Sequence, residues 1–163
     1  MKKNVLNMEF VDLGLSVKWA NLNVGAKNEF DCGKYFSWTE VLRNDVDWSE
    51  LNENVDLGVG CRMPSEAEIN ELIKNCIWEW TSESGVSGYN VKSEITGNQI
   101  FLPACGLLVK NKVYYEGEMG YYLTGEIDKK NAQGVIELII RKGYKDKYIA
   151  GPHCKRSVRL VKE

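Results

Sequence analysis

The sequence predicts an α+β domain, and three observations carry that reading. Residues 65–76 alone have the pattern of a full amphipathic helix. Most of the rest breaks into short β-patterned runs punctuated by Gly and Asn. Helices do not alternate with strands as βαβ units require. The 163 residues suit a single domain spanning 1–163, since one core serves that length. Hydrophobic residues at 44% and charged residues at 27% are ordinary for a globular chain and exclude a disordered, collagenous or coiled-coil protein.

Each element has a local reason. Phe10-Val11-Asp12-Leu13 reads as a strand turned by Gly14, and Val17 and Trp19 then alternate with Ser16 and Lys18, the period of a half-buried strand. Gly25 to Gly33 holds a second, short helical turn closed by Gly33. Tyr35 to Thr39 reads as a strand. Residues 40–60 read as an acidic loop, with Glu40, Asp45, Asp47, Glu50, Glu53 and Asp56 against Arg43.

The main helix opens on a capping box. Ser65 is placed to cap the Glu68 amide and the Glu68 side chain to reach back. Ile69, Leu72, Ile73 and Cys76 then form one apolar stripe. Strands follow: Trp78 and Trp80; Tyr89, Val91, Ser93 and Ile95 on one face; a turn at 96–98; then 99–103, 107–109, 113–115 and 121–124. Residues 135–140, Val-Ile-Glu-Leu-Ile-Ile, are the strongest β run, and 157–161 a closing strand.

Charge is uneven. Residues 141–163 hold eight Lys and Arg against Asp146 and Glu163, a net +6, while the other 140 residues carry −8. Such a segment on an acidic body attracts anions, or keeps strand edges soluble. No aromatic-and-basic motif accompanies it, so nucleic acid is not expected. No apolar run approaches the ~20 residues of a membrane helix. The basic start lacks the apolar stretch of a signal peptide, which places the protein in the cytoplasm; the alternative is an exported or phage-particle protein. Five Cys, an odd number with no CxxC pair, fit reduced thiols.

Several stretches, in order, resemble one family. They are Glu9-Phe10-Val11-Asp12-Leu13-Gly14-Leu15-Ser16-Val17-Lys18-Trp19-Ala20, Tyr35-Phe36-Ser37-Trp38-Thr39-Glu40, and Arg62-Met63-Pro64-Ser65-Glu66-Ala67-Glu68. Gly97 to Gly106, Gly120-Tyr121-Tyr122 and Ser157-Val158-Arg159-Leu160-Val161 continue the series. Together they resemble the major-paralogous-domain family of gut Bacteroidetes and their phages. The resemblance implies a C-type-lectin-like fold, related to formylglycine-generating enzymes and to the variable proteins of diversity-generating retroelements. It further implies two helices, short antiparallel sheets with long loops, a strand near 10–13 pairing with one near 157–161, and a ligand-binding face over roughly 121–156. Tyr122-Leu123-Thr124 and the Lys-rich 126–156 depart from the family pattern.

The chemical signals are sparse. The calcium-binding Glu-Pro-Asn and Trp-Asn-Asp strings of C-type lectins are absent. Asp45 and Asp47 offer two oxygen ligands where Ca²⁺ takes six to eight. Phosphate loops and a Ser-His-Asp set are missing, and His153 is the single histidine. Neither catalytic residues, metal nor cofactor is therefore expected. The expected function is a non-enzymatic recognition module for an anionic ligand: a nucleotide, an acidic glycan or an acidic protein surface. Its candidate contacts are Tyr144, Lys145, Lys147, Tyr148, His153, Lys155 and Arg156. Arg159 is read as bracing the closing strand. Two alternatives stand: an adhesion protein for neutral glycans, and a metal-dependent oxidase resembling the formylglycine-generating enzymes, with Cys105 and Cys154 as its ligands.

Overall fold

The structure is a computed structural model that describes residues 8–42, 45–52, 57, 60–151 and 153–163. Among these, 44% lie in strands and 12% in helices. The expected α+β, C-type-lectin-like class is thereby corrected to a mostly β fold of several small antiparallel sheets. The physical reason is helix length. Only α3 (Glu66–Asn75) is long enough to bury a stripe, while α1 (Trp38–Val41) and α2 (Trp48–Leu51) are single turns that build no layer.

The first and last described strands share a four-stranded sheet ordered β1-β2-β12-β3, from Phe10–Val11, Lys18–Ala20, Val161–Lys162 and Cys61–Arg62. The expected direct pairing of the two terminal strands does not form, because β2 lies between them, with Val161 opposite Trp19. The Leu160 and Val158 carbonyls extend the seam by accepting from the Ala20 and Val24 amides, each at 2.9 Å.

Arg159 locks this seam. Its guanidinium, 1% exposed, donates to Asn23 Oδ1 at 2.8 Å, the Ala20 carbonyl at 3.0 Å and the Phe101 carbonyl at 2.7 Å. Burial lowers its pKa to about 10, which leaves it charged at neutral pH.

The capping box of α3 forms as its sequence demands. The Glu68 amide donates to Ser65 Oγ at 3.2 Å, and the Ser65 amide to Glu68 Oε2 at 2.9 Å. Ile69 and Leu72 are buried and Ile73 partly so. Arg62 then grips the Glu68 carboxylate with two nitrogens, at 2.9 and 2.6 Å.

Beyond α3 stand a sheet of β4 (Cys76–Glu83), β5 (Val86–Ser93) and β6 (Gln99–Pro103), the hairpin of β7 (Leu107–Val109) and β8 (Lys112–Tyr114), and a sheet ordered β11-β10-β9. That last sheet comprises β9 (Met119–Ile127), β10 (Val135–Arg141) and β11 (Tyr144–Ala150). It separates two apolar clusters. Successive strand residues face opposite sides, so Leu123 and Val135 enter the cluster of Leu22, Val24, Phe36 and Leu160, while Tyr122, Leu138 and Ile140 enter that of Trp19, Ile69, Leu72 and Tyr89. Burial on both faces explains the unbroken apolar run of β10.

Local expectations are corrected elsewhere. Gly25 to Gly33 forms turns without a helix, and Gly33 holds a φ of +69° where any side chain would collide with the Val24 carbonyl. Of the expected strand at 35–39, one bridge from Phe36 to Arg156 remains before α1 begins. The acidic loop contains α2, capped by Asp47, whose carboxylate accepts from the Glu50 amide at 3.1 Å. Arg43, Glu53 and Asp56 lie outside the described residues. Ile95, read on one strand face with Tyr89, Val91 and Ser93, lies beyond β5 and is 73% exposed.

Candidate functional site

The expected contact residues fall on or beside β11, a seven-residue strand with β10 as its one neighbour. Alternation along β11 divides them. Tyr144 and Tyr148 share the face of Asp146, opposite Arg141 and Glu137 of β10. Lys145 and Lys147 share the other, opposite Ile140 and Leu138. Tyr148 is 58% exposed and Tyr144 38% exposed. His153 is exposed on the turn beyond β11, and its neighbour Pro152 lies outside the described residues.

Most of these cations are engaged within the fold. Lys147 forms an ion pair with Glu66 at the start of α3. Lys155 pairs with Glu40 of α1 at 3.1 Å. Lys145 Nζ stands 5.6 Å from the ring centre of Trp78 and 5.9 Å from that of Tyr89. The Arg141 guanidinium covers the Tyr144 ring at 5.1 Å. Lys162 donates to the Leu57 carbonyl at 2.9 Å. Arg156 is buried, its Nε paired with the Glu137 carboxylate and its Nη1 donating to the Cys154 carbonyl at 2.7 Å. Most basic residues of the 141–163 segment are thus met by acids, rings or carbonyls, drawn from α1, α3, β4, β5, β10 and Leu57. Arg156 in particular is no free phosphate grip.

The Glu137–Arg156 pair is the electrostatic centre of this face, and the sequence reading missed Glu137. Its signal was present: a single carboxylate inside the apolar run 135–140. Burial pushes the Glu137 pKa up to about 7, against the pull of Arg156. Tyr121, on the same face of β9, has its phenol pushed up by burial and then by the Glu137 charge. The segment carrying Arg156 is held to β9 by the Ser157 amide, which donates to the Tyr121 carbonyl at 3.0 Å, and by the Leu123 amide, which donates to the Ser157 carbonyl at 3.0 Å.

The cysteines also differ from expectation. Cys32 and Cys105 form a disulfide, with Cα atoms 5.5 Å apart, so reduced thiols hold only for Cys61, Cys76 and Cys154. Cys105 is buried, and its carbonyl accepts from the Tyr35 hydroxyl at 2.7 Å. Burial, then the charges of Glu116 and Asp31, raise that phenol to about 12. A Cys105–Cys154 metal pair would need Cys105 as a thiolate, and the bond to Cys32 consumes it. Among the described residues, no group of three or more His, Cys, Asp and Glu converges on one point.

A cleft of about 730 Å³ lies elsewhere, lined among others by Trp48, Cys61, Arg62, Ser65 and Ile127, and none of the expected contact residues borders it. Among the described residues, no helix is long and apolar enough to cross a membrane. Compared with protein families, curated proteins and solved structures, the chain matches none.

Proposed function

We propose that this protein is a non-enzymatic recognition module, and that it meets a macromolecular partner through β11 and residues 153–156. One observation carries the reading. Tyr144 and Tyr148 stand exposed on one face of a strand that, among the described residues, is free at one edge, while the sheet behind it is buried on both sides. Tyr offers a large amphipathic surface at little entropic cost, which is why interfaces are enriched in it. The ordered motifs that resemble the major-paralogous-domain family favour the same region.

The anionic-ligand version is weakened, since Lys147, Lys155 and Arg156 already face carboxylates of the chain itself. A neutral glycan or an uncharged protein surface fits the exposed tyrosines better. The Cys32–Cys105 bond supports work in an oxidising compartment over the cytoplasm. The test is comparative capture from the producing organism's envelope and medium, using the wild type, the Tyr144→Ala/Tyr148→Ala double variant and Glu79→Lys on β4 as baits. A partner retained by the wild type and Glu79→Lys but lost from the double variant supports the reading. Retention that ignores the two tyrosines refutes it.

A further inference from the structure

The geometry points to a second site, on the opposite side of β11: an aromatic shelf for organic ammonium cations, occupied in this state by the chain's own Lys145. This inference does not depend on the Tyr144–Tyr148 reading. The shelf is built from Trp78 and Trp80, two residues apart on one face of β4, and from Tyr89 across on β5. Tyr89 meets each indole edge to face, with ring centres 5.3 Å from Trp78 and 5.0 Å from Trp80. Two hydrogen bonds fix the rings. Trp78 Nε1 donates to the Leu72 carbonyl at 3.1 Å, and the Tyr89 hydroxyl to the Arg141 carbonyl at 2.8 Å. Both indoles remain partly exposed. A rigid aromatic surface open to solvent loses little entropy on binding.

The occupant defines the chemistry. Lys145 Nζ lies within 6 Å of two ring centres, the range in which ring quadrupoles attract cations. Among the described residues no carboxylate pairs with Lys145, unlike Lys147 and Lys155. Its ammonium is therefore held by π faces, as a ligand cation would be. Primary ammonium is strongly hydrated and gives up water reluctantly, whereas a quaternary ammonium is weakly hydrated and keeps the charge. The shelf should accordingly prefer alkylated ammonium, with Lys145 as an internal competitor that swings off its edge strand to admit it. That chemistry is shared by choline headgroups and methylated lysine side chains.

The experiment titrates the intact protein with choline, following tryptophan fluorescence at constant ionic strength. The uncharged isostere 3,3-dimethylbutan-1-ol serves as a control. Choline should produce a saturable change in the millimolar range, and the isostere none. Lys145→Ala removes the competitor and should tighten choline about fivefold. Trp78→Leu, checked for an unchanged fold by circular dichroism, should abolish the response. Glycerophosphocholine and Nε-trimethyllysine as further probes identify the source, the tighter one naming lipid or protein. The proposal is overturned if choline saturates neither the wild type nor Lys145→Ala, if the isostere binds as well as choline, or if Lys145→Ala weakens binding. The last two results would make Lys145 a packing residue whose stem covers Trp78.

Discussion

Glu137, 2% exposed, and Arg156, 5% exposed, form an ion pair that ties the segment before the last strand to the centre of the β9–β11 sheet. Tyr148 stands directly across from Glu137 on the neighbouring strand, so the exposed tyrosine face rests on a buried charge pair. Removing one partner of such a pair costs about 3–5 kcal/mol, because the other is left charged and dry. Glu137→Ala should therefore destabilise the protein far more than Tyr148→Ala, a difference that chemical denaturation would read directly.

The same pair sets a pH dependence. Glu137 titrates near 7 when folded and in the ordinary carboxylate range when unfolded, so between those values the folded state binds the extra proton. Its contribution is complete at low pH and is lost as pH rises through about 7. Glu68 and Glu40 act oppositely. Although burial would raise them, Arg62 with Ser65 and Lys155 with Ser37 hold them below the usual range, so their contribution is lost on acidification. The melting temperature should peak near the ordinary carboxylate range and fall as pH rises from there to about 7. Glu137→Gln should flatten the alkaline side of that profile and leave the acid side alone. An unchanged alkaline slope would refute the assignment.

Cys32 and Cys105 close a loop of 73 residues, and chain-entropy arguments give such a bridge about 4 kcal/mol. Alkylation of the denatured, unreduced protein should label three of the five cysteines. A reductant should lower the melting temperature of the wild type and leave that of Cys32→Ser unchanged.

The free edge of β11 is blunted by its own side chain, since the Lys147 amide donates to Asp146 Oδ1 at 2.8 Å. Antiparallel pairing of two copies centred on Asp146 would also set Asp146 against Asp146 and Lys145 against Lys147. Asp146→Val removes both obstacles. It should turn a concentration-independent sedimentation profile into a concentration-dependent one.

Arg159 satisfies Asn23, Ala20 and Phe101 from a fully buried position. Arg159→Met should cost at least about 2 kcal/mol, since the freed acceptors stay buried. The loss should appear in urea midpoints without a change in strand content.

What the sequence made legible was local. The capping box at Ser65 and Glu68, the apolar stripe of α3 and the β run at 135–140 are each written in consecutive residues. α1 and α2 were not legible, because four residues are too few to display a 3.6-residue period. β11 escaped because an edge strand places Lys145, Asp146 and Lys147 in a row, with no apolar alternation to mark it. Position of β2 between the two terminal strands is a matter of topology, which no local pattern encodes. The site was half legible. Tyr144 and Tyr148 are exposed, but the net +6 of residues 141–163 gave no warning that Glu66, Glu40 and Glu137 would pair with Lys147, Lys155 and Arg156.

Under the proposed function, the β11 face recognises its partner through tyrosine and not through free cations. The most direct test is a thermal-shift titration of the intact protein with ATP and with a sulfated oligosaccharide, at low and high salt. Because most of the cations of this face are engaged within the fold, neither anion should raise the melting temperature. A rise at low salt that shrinks as salt is added would show an accessible cationic site and contradict the claim.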